Sequence, residues 1–156
     1  MSTLIKGSDV RTMDRGIRVK KTIASTTNAT QGLFTVTGLV IVQGIVGSVK
    51  VAFDGTTTSI NIIHTATIGG AADLCAATVV TSDAVGTVYG FIGSVITTLL
   101  VGDGTAAPNT QFAPLSAPKV LTPGVIGFKG TAVDAGSTDW YVLYVPLSDD
   151  GLIVAV

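Results

Sequence analysis

The sequence predicts an all-β domain, a jelly-roll-like β-sandwich or small barrel with an extended N-terminal arm. Three observations carry this expectation. Val and Thr, β-branched and stiff at χ1, recur throughout and favour strands over helices. Nineteen glycines and five prolines punctuate the chain at short intervals. Between them lie short apolar segments with a period of two, the mark of a half-buried strand. At 156 residues the chain fits one domain with a real core. That domain is expected over 32–156, behind a basic arm and linker over 1–31.

Residues 1–31 show no sustained period, and the polar run 25–32 reads as a linker. Residues 33–42 open with alternation, Phe34 and Val36 against Thr35 and Thr37, and residues 45–53 alternate in the opposite phase. One regular strand cannot reverse phase. A turn or bulge is therefore expected at Gly38, Gly44 or Gly47. Asp54-Gly55 is a hairpin-turn pair; it leads to a strand over 59–64, with Ile60 and Ile62 on one side. A loop is expected over 68–73 and strands over 74–81, 87–92 and 95–101. Pro108, Pro114, Pro118 and Pro123 mark a long surface excursion, since proline cannot donate to a ladder. Strands resume at 125–132, 139–147 and 152–156. Residues 140–147 are apolar on both faces and 152–156 carry no charge to guard an edge, so both are expected to be covered by a second copy. Trp140, Tyr141, Tyr144, Leu152, Ile153 and Val154 are the candidate subunit-interface residues.

Charge is distributed unevenly. Lys6, Arg11, Arg15, Arg18, Lys20 and Lys21 are six of the nine basic residues, and only Asp9 and Asp14 oppose them within the first 21 positions. The remainder has three lysines against eight aspartates and no glutamate. Those six cations are the candidate partner-docking residues. Ile17 and Val19 interleave with Arg18 and Lys20, which suits a segment lying on a partner's acidic surface or along its sheet edge. The plainer reading is a charged, solubilising terminus. A net charge of −1 argues against nucleic-acid binding by the body. Residues 84–102 are nearly chargeless and long enough to span a bilayer, but Gly86, Gly90, Gly93 and the β-branched residues make poor helix material. No membrane partner is expected.

The chemistry-bearing residues have plainer readings. His64 is the only histidine; with no ligand spacing around it, it reads as structural. Cys75, also single, lies among apolar neighbours as a small buried hydrophobe. The aspartates beside glycine (Asp54, Asp103, Asp150) have a local turn role, and Asp149-Asp150-Gly151 is an incomplete calcium shell. Trp140, Tyr141 and Tyr144 could form a sugar-stacking platform, although aromatics in a packed strand more often anchor a core or interface. No catalytic constellation and no cofactor motif emerges, and an enzyme is not expected.

The strings GLFTVTGLVIVQGIVG from Gly32, DLCAATVVTSDAVGTVYGFIG from Asp73 and WYVLYVPL from Trp140, in this order, resemble small virion proteins of tailed bacteriophages. The resemblance spans about 32–147 and leaves residues 1–21 outside it. It implies a capsid decoration (cement) protein, made in the host cytoplasm and seated on the virion surface. Its implied partners are the major capsid protein and itself, as a homotrimer. It brings no catalytic residues. A carbohydrate-binding fibre or adhesin module and a tail-tube or connector component are the alternatives.

Overall fold

The computed structural model describes residues 16–56, 58–91, 97–102 and 118–156. The part of the expected excursion up to residue 117 and the cations Lys6, Arg11 and Arg15 lie outside the described residues, while its last part, between Pro118 and Pro123, holds a short strand where none was expected. Twelve strands occur among the described residues, and no helix. In chain order they are β1 (Ile17–Ile23), β2 (Thr30–Thr37), β3 (Val40–Val51), β4 (Ser59–Ala66), β5 (Gly70–Asp73), β6 (Thr78–Val79), β7 (Val88–Gly90), β8 (Leu100–Gly102), β9 (Lys119–Leu121), β10 (Gly124–Gly130), β11 (Ser137–Pro146) and β12 (Leu152–Ala155).

They form a sandwich of two antiparallel sheets. The first runs β1-β11-β3-β7-β8, with β9 added beside the start of β3. The second runs β12-β2-β10-β4-β5, with β6 beside the start of β4. The pairing has a simple order: β1 lies on β11, β2 on β10, β3 on β7 and β4 on β5. The first four strands are thus paired in reverse with later ones, as in a long ribbon folded back on itself and rolled. Chain reversals between β1, β2, β3 and β4 each cross from one sheet to the other.

The core lies between the sheets. Trp140, Val142 and Tyr144 of β11 point inward and are fully buried, as are Phe34 and Val36 of β2, Ile60 and Ile62 of β4, and Ile126 and Phe128 of β10. Trp140 stacks on Tyr89 at 6.0 Å and tilts against Phe128 of the opposite sheet at 5.6 Å. Its indole N–H donates to Thr138 Oγ1 at 2.9 Å, which satisfies the one polar group of the ring. Gly47 faces Trp140 across the β3–β11 ladder, and a Cβ there would lie 2.8 Å from the ring. A glycine is what lets the indole lie flat against β3.

The structure departs from the sequence reading at several points. Of the segment set apart as arm and linker over 1–31, residues 17–23 are β1, hydrogen-bonded along β11, and the boundary placed at Gly32 falls inside β2. The phase reversal is made once, within β3: buried positions run Phe34, Val36, Val40 and Val42 and then switch to Ile45 and Val49. Gly38, at φ +61°, turns the chain between β2 and β3, and a register shift opposite Leu143/Tyr144 leaves Gln43 unpaired beside Gly44. Asp54-Gly55 reverses the chain without making a hairpin, because β3 and β4 belong to different sheets. The Asp134 carboxylate accepts from the backbone N–H of Asp54 (3.1 Å) and of Gly136 (2.8 Å), tying this crossover to the loop before β11. The loop expected over 68–73 supplies the short edge strand β5, whereas the strand expected over 74–81 is reduced to β6. Within 84–102 the described residues hold β7 and β8, and no helix among the described residues is long and apolar enough to cross a membrane.

Candidate docking surface

The candidate residues fall into two groups once the strands are paired. Trp140, Tyr144 and Ile153 are at most 1% exposed and belong to the chain's own core. Their assignment to a subunit interface is corrected. Alternation along β11 and β12 turns every second residue inward, and the opposite sheet covers them. A sugar-stacking platform built on Trp140 and Tyr144 is likewise unavailable, since neither ring reaches the surface. Tyr141 is half-buried on the outer face, and Leu152 and Val154 are 48% and 44% exposed on the outside of β12.

The outer face of the first sheet gathers two of the three described basic candidates, Arg18 and Lys20. β1 turns Ile17, Val19 and Ile23 inward and Arg18, Lys20 and Thr22 outward. Opposite them on β11 stand Leu143, Tyr141 and Asp139. Beyond these lie Gly44, Val46 and Ser48 of β3. Asp139 is almost wholly covered, and a carboxylate so placed needs partners. It takes a hydrogen bond from Thr22 Oγ1 at 2.6 Å and ion pairs from Lys20 Nζ at 2.7 Å and Lys50 Nζ at 3.8 Å. The Lys20 ammonium, with Thr22 next, holds the Asp139 carboxyl below the usual carboxylate range, and Asp139 in turn raises Lys20. Arg18 and Lys20 both lie over the Tyr141 ring, at 5.9 and 5.7 Å from its centroid. Lys21, on the inward side, donates its Nζ hydrogen to the Val156 main-chain oxygen and links β1 to the segment after β12.

The result is a half-buried apolar centre of Ile41, Val46, Tyr141, Leu143 and Val145, with Arg18, Lys20 and Lys50 at its margin. Its one acid is the fully engaged Asp139. Sequence reasoning identified Arg18, Lys20 and Tyr141 but missed Ile41, Val46, Lys50 and Leu143. The outward phase of β3 and β11 would have named them once the inward phase was known.

The other singled-out groups serve the fold. Cys75 Sγ accepts the Ile62 N–H at 3.3 Å, and burial pushes its thiol pKa up. Tyr89 donates its hydroxyl proton to Asp83 at 2.7 Å, and burial raises its pKa far above that of a free phenol. Asp54 accepts from the Thr56 N–H at 2.8 Å, which lowers its pKa. His64 is buried with Nε2 unpartnered, and burial lowers its pKa against a hydrogen bond with the Thr122 backbone. No group of three His, Cys, Asp or Glu that could hold a metal occurs among the described residues. No known protein family, curated protein or solved structure matches the chain.

Proposed function

We propose that this chain is a structural protein of a virus particle, a decoration protein that docks on the major capsid protein lattice and stabilises the shell. The observation that carries the reading is the cationic edge of the first sheet. β1 is hydrogen-bonded to β11 on one side and to no strand on the other among the described residues. Its outward Arg18 and Lys20 are held in place over Tyr141 and Asp139. Lysine on an open edge discourages stray strand pairing. Docking there therefore runs through side chains onto an acidic surface and weakens with salt. The residues before Gly16 carry three further cations in sequence, Lys6, Arg11 and Arg15. Supporting this reading are the two-sheet sandwich of β1-β11-β3-β7 over β2-β10-β4-β5, which we read as a jelly roll, an architecture used by viral shells, and the phage-virion resemblance read from the sequence of residues 32–147. A subunit that binds the assembled shell and not the free capsid protein stabilises the shell by mass action.

The test is co-sedimentation with shells assembled from the major capsid protein of the same genome. Removing residues 1–15 leaves every described strand intact, and Arg18→Glu reverses one edge charge. Both changes are expected to weaken shell binding, and equal binding by all three proteins would overturn edge docking.

A further inference from the structure

We propose that the outer face of the first sheet binds a second copy of this chain, seating on it the turn between β11 and β12. The inference concerns self-association, which is read without shells present, and it shares Arg18 and Lys20 with the proposed docking edge. Two surfaces of the same molecule carry complementary chemistry.

The first is the face around Val46, Tyr141 and Leu143, apolar in the centre and cationic at Arg18, Lys20 and Lys50. Asp139 is its one acid, so it has a surplus of positive charge. The second lies at one end of the sandwich. Leu39 (41% exposed), Leu147 (51%) and Leu152 (48%) surround the turn that holds Asp149 and Asp150. Of the seven described aspartates, Asp54, Asp73, Asp83, Asp134, Asp139 and Asp150 each accept at least one hydrogen bond within the chain. Asp149 has no partner among the described residues, and it is exposed, in the same turn as Leu147.

This turn is also built to hold its shape. Leu147 N–H donates to the Leu39 carbonyl at 2.8 Å, and Leu39 N–H donates to Ser148 Oγ at 2.8 Å. Ser148 Oγ donates to Asp150 Oδ1 at 2.6 Å, Thr37 Oγ1 to the Asp150 carbonyl at 3.2 Å, and Gly151 N–H to the Ser148 carbonyl at 2.8 Å. Gly38 is packed so closely against Asp150 and Ser148 that a side chain there would collide. A knob ordered before contact loses little freedom on binding. It offers three leucines for the apolar centre and Asp149 for the cationic margin. The face looks out from the sheet while the knob projects along the strands, so the contact is heterologous, joining different surfaces of successive copies.

Light scattering on purified protein tests this with one variant on each surface. Val46→Glu places an acid where Asp149 would seat, and Val145→Glu does the same nearer the end of the sheet should the first variant fail to fold. Leu147→Lys/Asp149→Lys reverses the knob without touching the hydrogen bonds around Ser148 and Asp150. The native chain is expected to run larger than a monomer and each folded variant alone as a monomer. An equimolar mixture of a face variant and the knob variant still holds one intact face and one intact knob, and is expected to form a one-to-one dimer. A monomeric native chain, a variant that still self-associates alone, or a mixture that stays monomeric would overturn the proposal.

Discussion

Thr58 is fully buried and its Oγ1 finds no partner, an unusual cost in a packed sandwich. An unpaired buried hydroxyl costs about 1–3 kcal/mol, and valine has the same shape without it. Thr58→Val is therefore expected to raise the urea midpoint, and a lowered midpoint would contradict the accounting. His64 also has a buried nitrogen without a partner among the described residues, and it adds a dependence on pH. Its folded pKa lies below 6.5, so between that value and 6.5 the unfolded chain binds the proton and the folded chain does not. The stability this contributes is complete above pH 6.5 and lost as pH falls through the folded value. The denaturation midpoint is expected to fall below pH 6.5 in the native chain and to stay flatter in His64→Gln; identical profiles would remove His64 from the explanation. The structural roles of His64 and Cys75 were legible in the sequence as single, motif-free residues among apolar neighbours. Thr58 was not, because nothing local distinguishes a satisfied threonine from an orphaned one.

At the scale of the element, β1 is the informative strand. Its alternation of Ile17 and Val19 with Arg18 and Lys20 was visible, but the same pattern fits a free arm and an edge strand. What decides between them is β11, more than a hundred residues away, with Asp139 placed to receive Lys20 and Thr22. Local sequence holds no record of that partner. Asp54-Gly55 failed as a hairpin signal for the same reason, since a turn pair specifies reversal and not the sheet in which the next strand pairs. Strand β4 was legible with its inner row of Ile60 and Ile62, and β11 was legible as a strand but not in its phase, because residues 140–147 are apolar on both faces and only pairing turns Trp140, Val142 and Tyr144 inward. Asp139→Asn removes the charge that holds β1. It is expected to cost about 1.5–3 kcal/mol, typical of a hydrogen bond to a charged group. Amide exchange is expected to speed up in β1 ahead of β3 and β10. Uniform acceleration across both sheets would show that Asp139 serves the whole sandwich and not its edge. The carboxyl's lowered pKa gives the acid side of the same test: this stabilisation is present above the ordinary carboxylate range and lost as pH falls through the folded value.

For the whole molecule, the near-absence of charge turned out to have a specific distribution. Six of the seven described acids are engaged within the chain, while three of the six described cations, Arg18, Lys20 and Lys50, share the outer face of the first sheet. Of residues 140–147, expected to be covered by a second copy, one face packs on the chain's own second sheet, and the other is the half-buried surface around Tyr141. The proposed function rests on these surfaces, as docking onto a shell. The most direct measurement is saturation binding to shells of the major capsid protein from the same genome, read by sedimentation together with the temperature at which the shells disrupt. The account predicts a fixed number of copies per capsomer, a raised disruption temperature, and weaker binding at high salt or without residues 1–15. A native chain that leaves the shells unbound and their disruption temperature unchanged would contradict it.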